Sequence, residues 1–239
     1  ICSLCLRINE QKTILQGALA DMTTRFERQL EELHVQMITM GSLCEKVITL
    51  SAQAIRGKDC AKEVFEVDKE IDAKEREIET LCMRLLLHQQ PVAGDLREIS
   101  AALRMISDME RIGDQAADIA DLSRFIDKNM DQIPDQIEKM VGMAVHMVTE
   151  SVDSFVKADL DLCRKVIDDD DRVDQAFNEI KEELANQMYK NMDVKVGLDL
   201  LMAAKYMERI GDHAVNIAEW VENSITGVHR NNEHQLGGN

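Results

Sequence analysis

A charged hexapeptide, Met-Glu-Arg-Ile-Gly-Asp, occurs twice in this chain, at residues 109–114 and 207–212. In an α-helix the Glu and the Asp of each copy are four residues apart and therefore lie on one face. Two carboxylates on one helix face suit a metal ion, because oxygen-only ligation is typical of hard cations such as Mg²⁺, Ca²⁺ and Mn²⁺ and also holds iron. The recurrence of the same six residues also indicates an internal duplication.

A second acidic pair with the same four-residue step precedes each hexapeptide. If neighbouring helices bring the two pairs together, four carboxylates meet in each half of the chain. Each like-charged pair costs about 0.2–0.5 kcal/mol on its own, and a bound metal would turn that repulsion into coordination. One further oxygen-bearing residue lies a helical turn beyond each hexapeptide. The candidate metal ligands are Asp68, Asp72, Glu110, Asp114 and Asp118 in the first half, and Asp170, Asp174, Glu208, Asp212 and Asn216 in the second.

Solvated acidic helix faces are the alternative interpretation, because charged rows on helices usually point to water. Arg111 and Arg209 lie inside the hexapeptides and would neutralise part of the charge. His213 offers a further ligand in the second half only, since Gln115 has the equivalent place in the first. The residues alone leave both interpretations open.

The composition indicates an all-α protein. Of 239 residues, 3% are aromatic and 2 are Pro, whereas Leu, Met, Ala, Glu, Lys and Arg are abundant. The formal net charge of -17 disfavours binding to nucleic acid, since Lys and Arg must neutralise phosphates there. The same charge is compatible with cations or basic partner surfaces.

Apolar periodicity predicts six long helices in two antiparallel three-helix bundles. From Phe26 to Ala54, apolar or small residues recur in steps of four and three, which predicts a helix of roughly 30 residues. The remaining helices are predicted at about 60–88, 92–128, 134–156, 159–190 and 193–226. Gly113 and Gly211, each inside a helix, indicate close helix crossings, because Gly costs about 1 kcal/mol there relative to Ala.

The predicted domain limits follow from this periodicity. The first bundle is expected at residues 22–128 and the second at 129–227, with Pro134 beginning the second set of helices. Residues 228–239 are expected to form a flexible tail. Residues 1–21 are expected to be an artefact of an upstream start or a poorly ordered extension.

Cysteine usage and the absence of several motifs narrow the function. Cys2 and Cys5 form a single C-x-x-C pair, which is weak evidence for zinc, and Cys44 and Cys82 fit apolar helix faces. Free thiols favour the cytoplasm, and no apolar run of about 18 residues predicts a membrane span. No nucleotide-binding loop, nucleophile elbow or H-E-x-x-H motif is present, so the sequence lacks the signatures of these enzyme classes.

Three motifs give the chain its family resemblance: Gln-Gln-Pro-Val-Ala-Gly-Asp-Leu-Arg at 89–97, Met-Glu-Arg-Ile-Gly-Asp-Gln-Ala-Ala-Asp-Ile-Ala at 109–120, and Met-Glu-Arg-Ile-Gly-Asp-His-Ala-Val-Asn-Ile-Ala-Glu at 207–219. Together they resemble the PhoU family of phosphate-signalling regulators. The resemblance covers about residues 22–227 and implies two three-helix bundles related by pseudo-symmetry.

The resemblance also implies metal binding by E/D-x-x-x-D motifs, with iron, manganese, magnesium or zinc as the expected ions. It carries over to the acidic pairs above, and the first half departs from the usual pattern by having Asp118 where Asn216 fits it. The implied function is that of a cytoplasmic, non-enzymatic adaptor. When phosphate is plentiful, such proteins restrain a phosphate ABC transporter and its sensor kinase.

The implied partners are the ATPase subunit of the transporter, the phosphate-sensing histidine kinase and a second copy of the chain, with membrane association only through those partners. Two alternatives remain. A metal-dependent phosphate-ester hydrolase would use the same carboxylates to activate water. A purely structural helical dimerisation module would not need them.

Overall fold

The computed structural model describes residues 3–88, 92–126 and 133–228, with side chains from Arg25 onward in those ranges except that of His88. These residues form six α-helices and no β-strand. The helices are α1 (Ser3–Ile55), α2 (Ala61–His88), α3 (Ala93–Leu122), α4 (Asp135–Lys157), α5 (Leu160–Lys190) and α6 (Val194–Thr226).

Two of the predicted helix limits were wrong. The first helix has 53 residues rather than about 30, because no proline interrupts residues 3–55 and the helical backbone continues upstream of Phe26. Helix α3 ends at Leu122 rather than Lys128, and a turn at residues 123–125 follows it. Lys128 itself, Pro91 and the predicted tail beyond Val228 lie outside the described residues, and the domain limits stay predictions.

Local side-chain chemistry fixes the start of the last two helices. Asp159 accepts hydrogen bonds from the backbone N–H groups of Asp161 and Leu162, at 2.9 and 3.2 Å, and thereby caps α5. Asp193 caps α6 in the same way, accepting from Lys195 N at 2.8 Å. Because α4 ends at Lys157 and α5 begins at Leu160, only two residues connect these helices, and α5 runs antiparallel to α4.

The helices pack as two three-helix bundles joined side by side. Helices α1, α2 and α3 pack on one another, and so do α4, α5 and α6. Between the bundles, α1 packs against α4, and α3 packs against α6 over the most extensive interface of the fold. The predicted stripe of α1 is buried, as the side chains of Leu33, Met37, Met40, Cys44 and Val47 are fully inaccessible to solvent.

Within the described ranges, no helix combines the length and the apolar character needed to cross a bilayer.

Candidate metal centres

The first acidic cluster lies where α2 crosses α3. Its members are Asp68, Asp72 and Glu75 of α2 and Glu110, Asp114 and Asp118 of α3. Three further carboxylates, those of Asp72, Asp114 and Asp118, act electrostatically on Asp68. Glu110 similarly has Asp114, Glu75 and Asp72 as charged neighbours. The two acidic pairs of the first bundle are therefore close enough to interact electrostatically, but among the described residues no three of their ligand atoms lie within 4.8 Å of one another. Their role as metal ligands stays a prediction.

Burial and mutual repulsion raise the pKa of several carboxyl groups in this cluster. Desolvation, followed by the charges of Asp72 and Asp114, raises the pKa of Asp68 to about 6. Desolvation is also the main cause of the raised pKa values of Glu110, Glu75 and Asp118. The arrangement thus disfavours the charged carboxylates unless a cation compensates them.

Gly113 allows this crossing to be close. A Cβ atom at Gly113 would lie 2.8 Å from Asp68 Oδ1 and 3.2 Å from Ile71 Cδ1. The Asp68 carboxylate therefore lies directly against the backbone of α3, at the Gly of the hexapeptide. At the equivalent crossing of the second bundle, a Cβ at Gly211 would lie 3.4 Å from Val173 Cγ1 and 3.7 Å from Asp170 Oδ1. The predicted close crossing is confirmed at Gly113, whereas at Gly211 an added Cβ would make only ordinary van der Waals contact.

The second acidic cluster lies where α5 crosses α6 and consists of Asp170, Asp174, Glu208 and Asp212. Desolvation raises the pKa of Asp170 to about 6, and the charges of Asp212, Asp174 and Glu208 add to the shift. Glu208 is buried, with 8% of its surface exposed. Lys205, one helical turn before it, donates from Nζ to both of its carboxylate oxygens.

Asn216 and His213 contact a different carboxylate from those of the second cluster. Asn216 Nδ2 donates to Asp108 Oδ1 at 3.1 Å, and His213 Nδ1 lies 3.0 Å from the same oxygen. Trp220 Nε1 donates to the other oxygen of Asp108 at 3.2 Å. These three side chains of α6 thus hold a carboxylate of α3 and connect the two bundles, which places the amide and the imidazole at the bundle interface.

An orphaned carboxylate oxygen is common to both clusters. In the described part of the chain, Asp68 Oδ1 and Asp170 Oδ1 are buried and have no hydrogen-bond partner. A buried carboxylate without a donor is costly, and coordination by a cation would remove that cost. The donor sets consist of carboxylate oxygens, which suit Mg²⁺, Mn²⁺ or iron. The chemistry of these residues therefore suits the metal ions that the sequence predicts, and both metal binding and the identity of the metal stay predictions.

Sequence reasoning missed Glu75, Lys205 and Asp108. Glu75 follows Asp72 by three residues on the same face of α2, so the helical period was a usable signal for it. Lys205 was likewise within one turn of Glu208. Asp108 had no such signal, because its partners are more than 100 positions away in the sequence and only the packing of α3 on α6 brings them near.

A third group of possible ligands lies between α4 and α5. His146, Glu150 and Asp169 place one ligand atom each within 4.8 Å of one another. Lys165 Nζ, however, contacts Glu150 and lies 3.2 Å from His146 Nε2, and Arg172 donates to Asp169 at 3.0 Å. Lys165 and Arg172 thus supply positive charge to this group, although Glu150 Oε2 is buried without a hydrogen-bond partner, as Asp68 Oδ1 and Asp170 Oδ1 are.

The chain was compared with known proteins. The PhoU domain matches it twice, over residues 37–123 and 137–221. The phosphate-specific transport system accessory protein PhoU homolog of Clostridium acetobutylicum is 37% identical over 207 residues, which are 84% of this chain and 94% of that protein. The corresponding PhoU protein of Escherichia coli is 29% identical over 208 residues, covering 85% of this chain and 86% of that protein.

Solved structures agree with the sequence relatives. The crystal structure of PhoU from Pseudomonas aeruginosa has a TM-score of 0.77 and 32% identity, and the match covers 85% of this chain and all of that one (100%). The phosphate transport system regulatory protein PhoU from Streptococcus pneumoniae has a TM-score of 0.78 and 25% identity, with 85% and 98% coverage. The expected all-α fold is thereby confirmed, and the chain belongs to the PhoU family.

Proposed function

We propose that this chain is a non-enzymatic regulator of phosphate uptake and phosphate-starvation signalling. It restrains a phosphate ABC transporter and its sensor kinase when phosphate is plentiful. Family membership supports this proposal, since the relatives carry names of phosphate transport accessory and regulatory proteins. The expected partners are the ATPase subunit of the transporter and the phosphate-sensing histidine kinase, reached from the cytoplasm, and the expected assembly is a homodimer.

The two acidic clusters are the proposed metal sites of this regulator. The observation that carries this part is the buried, unpartnered oxygen at the same place in both bundles, on Asp68 and on Asp170. A divalent or iron-type cation would supply positive charge there. Asp68 and Asp72 would then act together with Glu110 and Asp114 to hold α2 against α3, and the four carboxylates of the second cluster would hold α5 against α6.

The regulatory role can be tested in a strain that lacks its own PhoU protein and carries a phosphate-starvation reporter. The wild-type chain is expected to keep the reporter silent in phosphate-rich medium. The Glu110→Gln, Glu208→Gln variant is expected to lose that silencing, because it removes one carboxylate from each cluster. Glu66→Gln, Glu182→Gln is the matched control, as both residues are exposed on α2 and α5 outside the clusters. A wild-type chain that fails to silence the reporter would contradict the proposed role.

A binding experiment separates the regulator from a purely structural module. The transporter's ATPase subunit is immobilised, and the chain is applied either with Mn²⁺ or after treatment with a chelator. The regulator is expected to bind with Mn²⁺ and to lose binding in the Glu110→Gln, Glu208→Gln variant, whereas the control variant binds normally. Equal binding of all forms with and without Mn²⁺ would show that the clusters have no part in partner recognition.

A further inference from the structure

We propose that Lys205 is a built-in counter-ion of the second acidic cluster and makes it the weaker of two unequal metal sites. The inference rests on the proposed metal binding and adds to it an order of filling: the first cluster takes up metal at lower concentration than the second. Lys205 acts as an internal competitor, because its ammonium group occupies the carboxylate of Glu208 that a metal would use.

The contacts of Lys205 support this role. Its Nζ donates to both oxygens of Glu208, so neither oxygen of that carboxylate is left without a donor. The ammonium group also lies 5.4 Å from the ring centroid of Phe177 on α5, a cation–π arrangement that favours this position of the side chain. Glu208 is 8% exposed, so its carboxylate is largely removed from solvent, whereas the Lys205 side chain is 43% exposed.

The first bundle has different residues at both of these positions. Ser107 precedes Glu110 as Lys205 precedes Glu208, and Glu75 follows Asp72 as Phe177 follows Asp174. The two replacements also meet in space, because Ser107 Oγ donates to Glu75 Oε1 at 3.4 Å. Where the second bundle has the ammonium group of Lys205 and the ring of Phe177, the first bundle thus has the hydroxyl group of Ser107 and the carboxylate of Glu75.

The consequence is a difference in both charge and ligand supply. The first cluster offers the carboxylates of Asp68, Asp72, Glu75, Glu110, Asp114 and Asp118, whereas the second offers those of Asp170, Asp174, Glu208 and Asp212. One of the latter is already neutralised by Lys205. Lys69, Arg111 and Arg209 also act electrostatically on carboxylates of the first cluster, but among the described residues none of them forms a direct ion pair there. A cation in the second cluster must either displace the ammonium group or bind without Glu208.

The test uses full-length variants that each retain one cluster. Asp170→Asn, Asp212→Asn leaves the first cluster, and Asp68→Asn, Asp114→Asn leaves the second. Mn²⁺ binding is measured by the loss of the free-ion electron paramagnetic resonance signal, and circular dichroism confirms that each variant is helical. We expect the first cluster to bind Mn²⁺ at least about tenfold more tightly than the second, a difference of about 1.4 kcal/mol.

Reciprocal substitutions then assign the difference to one position. Lys205→Ser in the second-cluster variant is expected to tighten Mn²⁺ binding about tenfold, and Ser107→Lys in the first-cluster variant to weaken it by a similar factor. Lys205→Arg keeps the positive charge and is expected to leave the second cluster weak. Lys181→Ser is the matched control, because Lys181 Nζ lies 5.9 Å from the same Phe177 ring but bonds Asn178 rather than a cluster carboxylate.

Each outcome distinguishes this inference from the proposed metal binding itself. Two clusters of equal affinity, or a Lys205→Ser variant that binds Mn²⁺ no better than its parent, would overturn the role of Lys205 while leaving the metal sites in place. A wild-type chain that takes up no Mn²⁺ would overturn both.

Discussion

Half-buried aspartates in two regions of this molecule have opposite hydrogen-bonding environments. At the interface between the bundles, Asp108 has donors on both oxygens, from His213, Asn216 and Trp220 of α6. In the acidic clusters, Asp68 and Asp170 each have a buried oxygen with no hydrogen-bond partner among the described residues. Hydrogen-bond donors thus surround Asp108, whereas further carboxylates surround Asp68 and Asp170.

We interpret this difference as one between a carboxylate that stabilises the fold and carboxylates that are proposed metal ligands. A carboxylate that only stabilises the fold is expected to have its donors within the protein, because an unmatched buried charge opposes folding. The clusters depart from that rule at the same place in both bundles, as Glu150 and Asp199 do elsewhere, but in the clusters three or more further carboxylates also act on the aspartate with the unpartnered oxygen. Such departures are typical of functional sites. Asp108 therefore connects the two bundles, whereas the unpartnered oxygens of Asp68 and Asp170 support the proposal that these residues bind a cation.

The largest expected effect is the loss of stability on replacing Asp108. Asp108→Ala removes the acceptor of three contacts between α3 and α6, and we expect it to lower the free energy of unfolding by about 2–4 kcal/mol. Chemical denaturation of the purified variant measures this. A change below about 0.5 kcal/mol would place Asp108 among ordinary surface residues.

Replacing Asp68 and Asp170 by Asn is expected to raise the free energy of unfolding of the metal-free protein. In metal-free protein, Asp68→Asn, Asp170→Asn removes two desolvated charges that repel their neighbours, and each substitution should raise the free energy of unfolding by about 1 kcal/mol. With saturating Mn²⁺ the order reverses, because the wild type gains binding energy that the variant lacks. If the metal-free variant were less stable than the wild type, the two oxygens would be matched within the fold.

Alanine at the two hexapeptide glycines sharpens the comparison between the clusters. Gly211→Ala should raise stability by up to about 1 kcal/mol, since the helix gains and the nearest atom is 3.4 Å from the new Cβ. Gly113→Ala should gain less and should weaken Mn²⁺ binding, because Asp68 Oδ1 at 2.8 Å must move. Thermal melts and Mn²⁺ titrations of both variants check this, and equal effects of the two substitutions on Mn²⁺ binding would contradict it.

The smallest expected effect is on pH dependence, because water partly screens these groups. The pKa values of Asp68 and Asp170 rise in the folded state from 3.8 to about 6. Their contribution to stability is therefore complete below about pH 4 and is lost as the pH rises through about 6.

As the pH falls from about 7 to about 5, the metal-free wild type should therefore gain stability relative to the Asp68→Asn, Asp170→Asn variant. Mn²⁺ affinity should fall over the same interval, because metal ligands must be deprotonated. Parallel pH profiles of the two metal-free proteins would contradict the assignment of the raised pKa values to these residues.

Much of the fold was accessible from the sequence because helical periodicity is a local signal. The stripe from Leu33 to Val47, the acidic pairs and the hexapeptide glycines all depend on spacings of three or four residues, and the structure places them as that period requires. The two helix limits that were predicted wrongly are the start of α1, at Ser3, and the end of α3, at Leu122. No residue with a strong helix-breaking effect marks either place, so periodicity had no local stop signal to detect.

The direction of individual side chains across a helix interface could not be predicted from the sequence. Asn216 continues the spacing of the second acidic row, yet its amide donates to Asp108, because the packing of α3 on α6 offers a carboxylate acceptor at that point. Lys205 is one turn from Glu208 in any helix, but the Phe177 ring that favours its position comes from α5. Such contacts depend on which helices become neighbours, which spacing along one helix does not specify.

Anomalous diffraction from crystals grown with Mn²⁺, recorded above the manganese absorption edge, is the measurement that decides whether the acidic clusters are metal sites. We predict anomalous peaks beside Asp68 and Asp114 and beside Asp170 and Asp212, with the higher occupancy in the first cluster at limiting Mn²⁺. Crystals without a peak at either cluster, or with manganese only beside His146 and Glu150, would contradict the assignment of the clusters as metal centres.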